Sequence, residues 1–439
     1  MDNYTENLTM TTFLDTAAGS LEASRKTHRQ NADAESRVGM WSSPAVIAPN
    51  NFVYKSLSNW SFNVAVGCSH ACRFCYVPSA ATIKQGPKLA EYGVKDPDAE
   101  WGDYVLIRPW DEDKFLASLR SAENTPRRLL KPDGNRAVMY CSTTDPYQVI
   151  HHPDPARQKM LSAHARFIVR RSLELIRDHS TLNVRILTRS PLARADFDLF
   201  KSFGPRLLFG MSLPTLRNDL AKIYEPKAPA PSQRLAALRA AHDAGLHVYV
   251  AMAPTYPECD EADLHATLKA VAEVNPVTIF HEPINIRAEN VARIEAHAKE
   301  LGLFSLLSSI HAPRSRERER VAEGRVRFVA EKHIPVEEAG VRSRRPIPIA
   351  HPLGEEPGER ASQLLRTDVF ATRESWQNYA VESLQTVDRL ANELHLSDRI
   401  HLWPDKSLGN LNVANRMPKP KEHMRWLRNW WGRVSEWPS

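Results

Sequence analysis

The chain has 439 residues, 42% of them hydrophobic, which suffices for a sizeable core in one large domain with appendages or in two to three average domains. Its 58 Lys and Arg against 52 Asp and Glu give a net charge of +6, which permits an anionic partner and demands none. No apolar run is long enough for a membrane-spanning helix, and five cysteines are too sparse, and odd in number, for a disulfide framework.

In chain order, residues 1–45 are polar, rich in Asn, Ser, Thr and charge, and are expected to form a mostly disordered arm. The start, Met1 to Glu6, has neither a basic stretch nor an apolar one, so no secretory signal is expected and the cytoplasm is the expected compartment. Residues 46–302 alternate short apolar runs with helical segments, the mark of an α/β fold with parallel strands. The predicted strands are Phe62–Val66, Ala137–Cys141, Val184–Thr188, Arg206–Ser212, His247–Met252 and Val277–Phe280. Between them, Leu161, Ile168 and Leu175 repeat at seven with Met160 and Phe167 beside them, which predicts one apolar helix stripe. A further helix follows Pro231, with Ser232 as N-cap, Leu235 and Leu238 on its inner face and Gly245 at its end. Six strand–helix units predict a partial (β/α)6 TIM-type barrel, with its active site at the C-terminal ends of the strands. Residues 288–301 read as helix. Residues 303–362 are expected to form a charged, Pro-rich insertion that includes the run Arg314–Arg320. Residues 363–439 are expected to form a C-terminal helical extension packing on the core, with a long helix over 372–395 and a strand-like run at Ile400–Trp403.

Directly after the first predicted strand come Cys68-Ser-His-Ala-Cys72-Arg-Phe-Cys75, spaced C-x3-C-x2-C, with Phe74 just before the last cysteine. A structural zinc site normally takes four ligands in two separated pairs, and His70 could serve as a fourth only at an uncommon spacing. Three thiolates can instead hold three irons of a [4Fe–4S] cluster and leave the fourth iron without a protein ligand. A cluster used only for electron transfer normally takes four cysteines.

The spacing and the aromatic resemble the radical S-adenosylmethionine (SAM) superfamily. Further segments resemble the members related to spore photoproduct lyase: Tyr140–Gln148, Leu187–Ser190, Tyr224–Pro226 with Pro229–Pro231, Ala253-Pro254, Glu282–Asn285 and His401–Asp405. The resemblance implies a [4Fe–4S] cluster on Cys68, Cys72 and Cys75, with SAM bound at its open iron and cleaved reductively to a 5′-deoxyadenosyl radical. It implies that Phe74 lies close to the adenine. Ser142, Thr143 and Asp145 stand where the family often has Gly-Gly-Glu against the SAM amino group; hydroxyls and a carboxylate suit a cationic ammonium. Ser212 is placed at the ribose and Ser190 on the same face. Asp145 before Pro146 is equally a turn cap.

Cys141 ends the second strand. In spore photoproduct lyase a cysteine here supplies a hydrogen atom to the product radical, so the resemblance gives Cys141 a catalytic role; a buried core thiol is the alternative. His281 and Glu282 follow a buried strand at the functional end and read as structural or substrate-contacting. The basic, Trp-rich segment 417–437 reads as a terminal helix pinned to the barrel or as a nucleic-acid surface.

The expected function is therefore a radical SAM enzyme, lyase- or transferase-like. By resemblance its substrate is a nucleic acid or nucleotide, as in DNA repair, and its partner is an electron donor of the flavodoxin or ferredoxin type. Modification of a peptide or protein is one alternative. A non-catalytic metal-binding module that recognises nucleic acid is another.

Overall fold

The structure is a computed structural model that describes residues 37–50, 58–130, 135–286, 289–302 and 366–402. The expected insertion at 303–362, the basic Trp-rich tail and most of the N-terminal arm lie outside these residues.

Eleven strands form two sheets among the described residues: β1 Val38–Met40, β2 Ile47–Pro49, β3 Trp60–Phe62, β4 Ala65–Gly67, β5 Val105–Ile107, β6 Ala137–Tyr140, β7 Asn183–Thr188, β8 Leu207–Ser212, β9 Val248–Thr255, β10 Thr278–Pro283 and β11 Ile400–Leu402. The larger sheet runs β2-β3-β6-β7-β8-β9-β10-β11. Every neighbouring pair from β3 to β11 is parallel, and only β2 runs against its neighbour. Strands β3, β6, β7, β8, β9 and β10 stand side by side in chain order. That is the partial (β/α)6 barrel, a TIM-type α/β fold.

The longer helices are α1 Glu112–Glu123, α2 Pro155–His179, α3 Asn218–Tyr224, α4 Pro231–Asp243, α5 Glu261–Ala272, α6 Asn290–Glu300 and α7 Arg373–Glu393. Four begin at side-chain caps. Asp111, Asp154, Asp260 and Thr372 each accept backbone N–H bonds that the first turn cannot satisfy internally. Helix α4 starts differently from expectation. Proline occupies its first position, Ala230 precedes it, and Gln233 reaches back to accept the Ala230 N–H at 3.2 Å, so Ser232 lies inside the helix. In α2, Leu161, Ile168 and Leu175 are buried as their spacing predicts, while Met160 remains 42% exposed.

The first predicted strand is two strands in two sheets. β3 pairs with β6 in the barrel, whereas β4 pairs antiparallel with β5, which pairs parallel with β1. Asn63 sits at the break and turns its side chain to the loop after β6, where its carbonyl oxygen accepts from the Thr143 N–H and hydroxyl, both at 3.0 Å. Residues 37–45, within the expected arm, contain β1; Trp41 is buried there and stacks on Tyr92 at 5.1 Å.

The C-terminal part is more than a helical cover. β11 continues the parallel sheet beyond β10, and α7 buries Trp376, Leu384 and Val387 against the barrel. Trp376 donates to the Ile284 carbonyl at 2.8 Å and Tyr379 to the Thr255 carbonyl at 3.1 Å. No helix of the described residues is long and apolar enough to cross a membrane.

Candidate active site

The cysteine loop leaves β4 and is tied to the barrel through its backbone. Thr144 donates to the Gly67 carbonyl at 2.6 Å, and the Ser69 N–H donates to Gln148 at 2.7 Å. The Arg73 N–H meets the Tyr224 carbonyl at 2.9 Å, and the Lys227 N–H meets the His70 carbonyl at 3.3 Å. From the other side α6 closes down. Arg293 donates to the Arg73 and Cys75 carbonyls and pairs with Asp98, while Asn290 donates to the Phe74 carbonyl at 3.4 Å. Loop carbonyls are thereby satisfied.

Cys68, Cys72 and Cys75 carry free thiols; the first two are buried and Cys75 is half-buried. Burial pushes all three up to about 12. Against that, backbone N–H bonds from His70 and Asp145 favour the Cys68 thiolate, Arg189 favours that of Cys72, and Arg293 and Arg189 favour that of Cys75. A metal that deprotonates the thiols outright would relieve this cost. Among the described residues no three His, Cys, Asp or Glu side chains surround one metal ion. A cluster does not require that, because each thiolate takes a different iron. Three adjoining thiols on a pinned loop, flanked by arginines, fit an anionic iron–sulfur cluster.

Two buried groups organise the surroundings. Asp145 accepts from the Tyr147 N–H at 2.8 Å, the Thr188 hydroxyl at 2.7 Å and the Arg189 N–H at 2.8 Å, and it lies 3.5 Å from the His70 ring. It joins the loops after β6 and β7. Glu225 is paired with both Arg189, at 2.7 Å, and Arg234. Burial would raise the Glu225 carboxyl, but the two arginines reverse that and hold it at about 2. Arg234 is fully buried and donates to the Pro229 and Ser212 carbonyls at 2.8 and 3.3 Å. Arg189 lies over the Phe74 ring, 5.5 Å from its centroid. Beyond Phe74, Tyr256 stacks on Tyr224 at 4.1 Å, and Tyr224 donates to Glu258 at 2.9 Å.

The predicted site residues fall into distinct environments. Phe74 is buried beside Arg189 and Tyr256. Ser142 accepts from Asn63 at 3.4 Å, and Thr143 donates to it, so both are held at the barrel mouth. The Ser190 hydroxyl accepts from the Leu192 N–H and caps the turn of helix that starts at Pro191. Ser212 is buried at the end of β8, and its hydroxyl has no partner among the described residues. The same holds for His70 Nε2 and the Tyr256 hydroxyl. Buried polar atoms left without partners are uncommon, and a polar ligand would satisfy them. Cys141 is buried with φ +51, a left-handed conformation rare for its residue type, and burial holds its thiol well above the usual range. His281 is buried under α7, 3.1 Å from the Thr255 hydroxyl, and Glu282 accepts from Asn285 at 2.7 Å.

Sequence reasoning assigned no role to Arg189, Glu225, Arg234, Asn290 or Arg293. For Arg234 a signal existed: with Leu235, Leu238 and Ala241 it falls on the inner face of α4, and a charge on a buried face calls for a partner.

The radical SAM superfamily profile matches residues 62–271. The chain is 32% identical over 270 residues to the uncharacterized protein ORF301 of Acidianus two-tailed virus, covering 58% of this chain and 79% of that one. It is 24% identical over 233 residues to the uncharacterized protein MJ0683 of Methanocaldococcus jannaschii, covering 53% and 72%. A solved mutant of spore photoproduct lyase with bound AdoMet and dinucleoside spore photoproduct aligns with a TM-score of 0.41 at 16% identity. That alignment covers 59% of this chain and 65% of the lyase, just under two thirds of its length.

Proposed function

The chain belongs to the radical SAM superfamily, and from that premise we propose that it holds a [4Fe–4S] cluster on Cys68, Cys72 and Cys75, cleaves SAM reductively and acts on a nucleic acid or nucleotide. The observation that carries this reading is the cysteine loop: three adjoining free thiols, pinned through the backbone at the strand ends and flanked by Arg189 and Arg293. When bound, the cluster and SAM supply the one-electron cleavage that yields a 5′-deoxyadenosyl radical. The protein's part is to bind, orient and exclude water.

Phe74 and Tyr256 offer apolar ring faces for an adenine beside the loop. The Ser212 hydroxyl, buried without a protein partner, is suited to a ribose hydroxyl. Arg189 spends its Nε on Glu225, and its two terminal nitrogens make no protein hydrogen bond among the described residues, so they are open to the SAM carboxylate. Ser142 and Thr143, steadied by Asn63, are proposed to meet the SAM ammonium. Asp145 already accepts three hydrogen bonds and serves chiefly to hold the loops together.

We assign Cys141 the return of a hydrogen atom to the substrate radical. Burial keeps its thiol protonated at neutral pH, so the S–H hydrogen is present when needed. The nucleic-acid part of the proposal rests on the shared sequence segments and the net charge of +6. The electron donor is proposed to be of the flavodoxin or ferredoxin type. A cytoplasmic location suits five free cysteines.

Anaerobic reconstitution with iron and sulfide tests the proposal. The expected result is 5′-deoxyadenosine formed from SAM and a reductant, abolished by Cys72→Ala, together with salt-sensitive binding of DNA or RNA. Stoichiometric zinc binding with no SAM cleavage would instead establish the non-catalytic module.

A further inference from the structure

Glu225 and Arg234 are charged side chains deep in the protein. They come from the end of α3 and the first turn of α4, and each is almost completely inaccessible. A buried ion set of this kind is weak evidence for stability, since apolar residues of similar volume often do as well. Its arrangement is directional, however. Arg234 is anchored to the Ser212 and Pro229 carbonyls and grips one Glu225 oxygen; the other Glu225 oxygen grips Arg189 at 2.7 Å. Arg189 in turn lies against Phe74, between Cys72 and Cys75 in sequence, and its N–H is fixed to Asp145.

We infer that Glu225 and Arg234 are positioning residues that set the electrostatic potential at the cysteine loop through Arg189, and thereby the reduction potential of the cluster held there. The inference rests on the cluster reading above. A cluster on three thiolates is anionic, and taking one electron from a one-electron donor adds a negative charge without making or breaking a bond to the protein. Nearby cations favour that reduced state and nearby carboxylates oppose it. The charges are buried, so they act with little screening by salt.

The test is an EPR-monitored redox titration of the reconstituted full-length protein, with iron and sulfide content measured on each sample. Glu225→Gln is expected to raise the midpoint potential and Arg234→Gln to lower it, with Arg234→Lys recovering part of the loss. The shifts should persist in about 0.5 M salt, because screening reaches exposed charges far more than buried ones. Arg189→Gln, at a partly exposed position, should lower the potential too and carries the same test should a fully buried variant fail to fold. Opposite shifts for acid and base removal are a signature that a purely structural role would not give. Shifts of one sign, or none, in samples with full iron content would overturn this inference and leave the proposed function standing. Failure of the wild-type protein to assemble a cluster would overturn both.

Discussion

Gly67 has φ +92 and immediately precedes Cys68, and a Cβ at this position would collide with the Tyr104 carbonyl oxygen and ring. Its own carbonyl accepts from Thr144. Glycine is therefore required twice over, by the backbone conformation and by the close approach of Tyr104. Gly67→Ala is expected to cost about 1–3 kcal/mol in stability. It should also lower iron incorporation, because relieving the clash displaces the first cysteine; thermal melts and iron content of reconstituted protein check both effects. At this scale the sequence was unevenly legible. The cysteines announce themselves because their chemistry depends on spacing along the chain. Arg189, Glu225 and Arg234 do not, because their partnership is made across 36 and 9 positions by the ends of separate elements. The sequence reads Asp145 equally as a SAM contact and as a turn cap, and its carboxylate accepts from the Tyr147 N–H, the Thr188 hydroxyl and the Arg189 N–H.

Among the elements, the strands of the barrel were readable because each is apolar along most of its length, as strands covered on both faces are. The division of Phe62–Val66 into β3 and β4 was not, since both halves are equally apolar and the break is enforced by Asn63 bonding to Thr143, eighty positions away. Helix α6 was readable as a helix but not as a clamp. Its first turn brings Asn290 and Arg293 onto the carbonyls of Phe74, Arg73 and Cys75, more than two hundred residues earlier. Removing Arg293 would leave the Arg73 and Cys75 carbonyls without this donor and Asp98 without its cation, at about 3–5 kcal/mol for the broken buried pair. Arg293→Ala is accordingly expected to lower the melting temperature. It should also speed loss of iron to a chelator relative to wild type, measured by the decay of cluster absorbance. Equal decay rates would show that α6 has no hold on the loop.

At the scale of the whole molecule, the C-terminal segment completes the barrel edge. β11 lies parallel to β10, and the Ile279 N–H bonds to the Arg399 carbonyl at 3.0 Å. Helix α7 covers the outer side of β10 and seals in His281, whose Nε2 meets the Thr255 hydroxyl at 3.1 Å and Ser383 at 3.5 Å. This burial drives the His281 pKa down from 6.5 to about 3. The direction fixes a pH dependence. Between these values the unfolded chain binds a proton that the folded chain refuses, so the stability contributed by neutral His281 is complete above 6.5 and is lost as pH falls below it. The loss approaches about 1.4 kcal/mol per pH unit. His281→Asn keeps a hydrogen-bonding side chain there but cannot titrate. It is expected to be less stable than wild type at pH 7.5 through lost packing, yet to lose less stability on acidification to pH 5. Denaturant unfolding of both proteins at several pH values isolates this one group, because His70, His164 and the carboxylates are common to both. Parallel pH profiles would mean that α7 opens readily enough for water to reach β10, and that the C-terminal unit is a loosely held cover rather than an integral wall of the barrel.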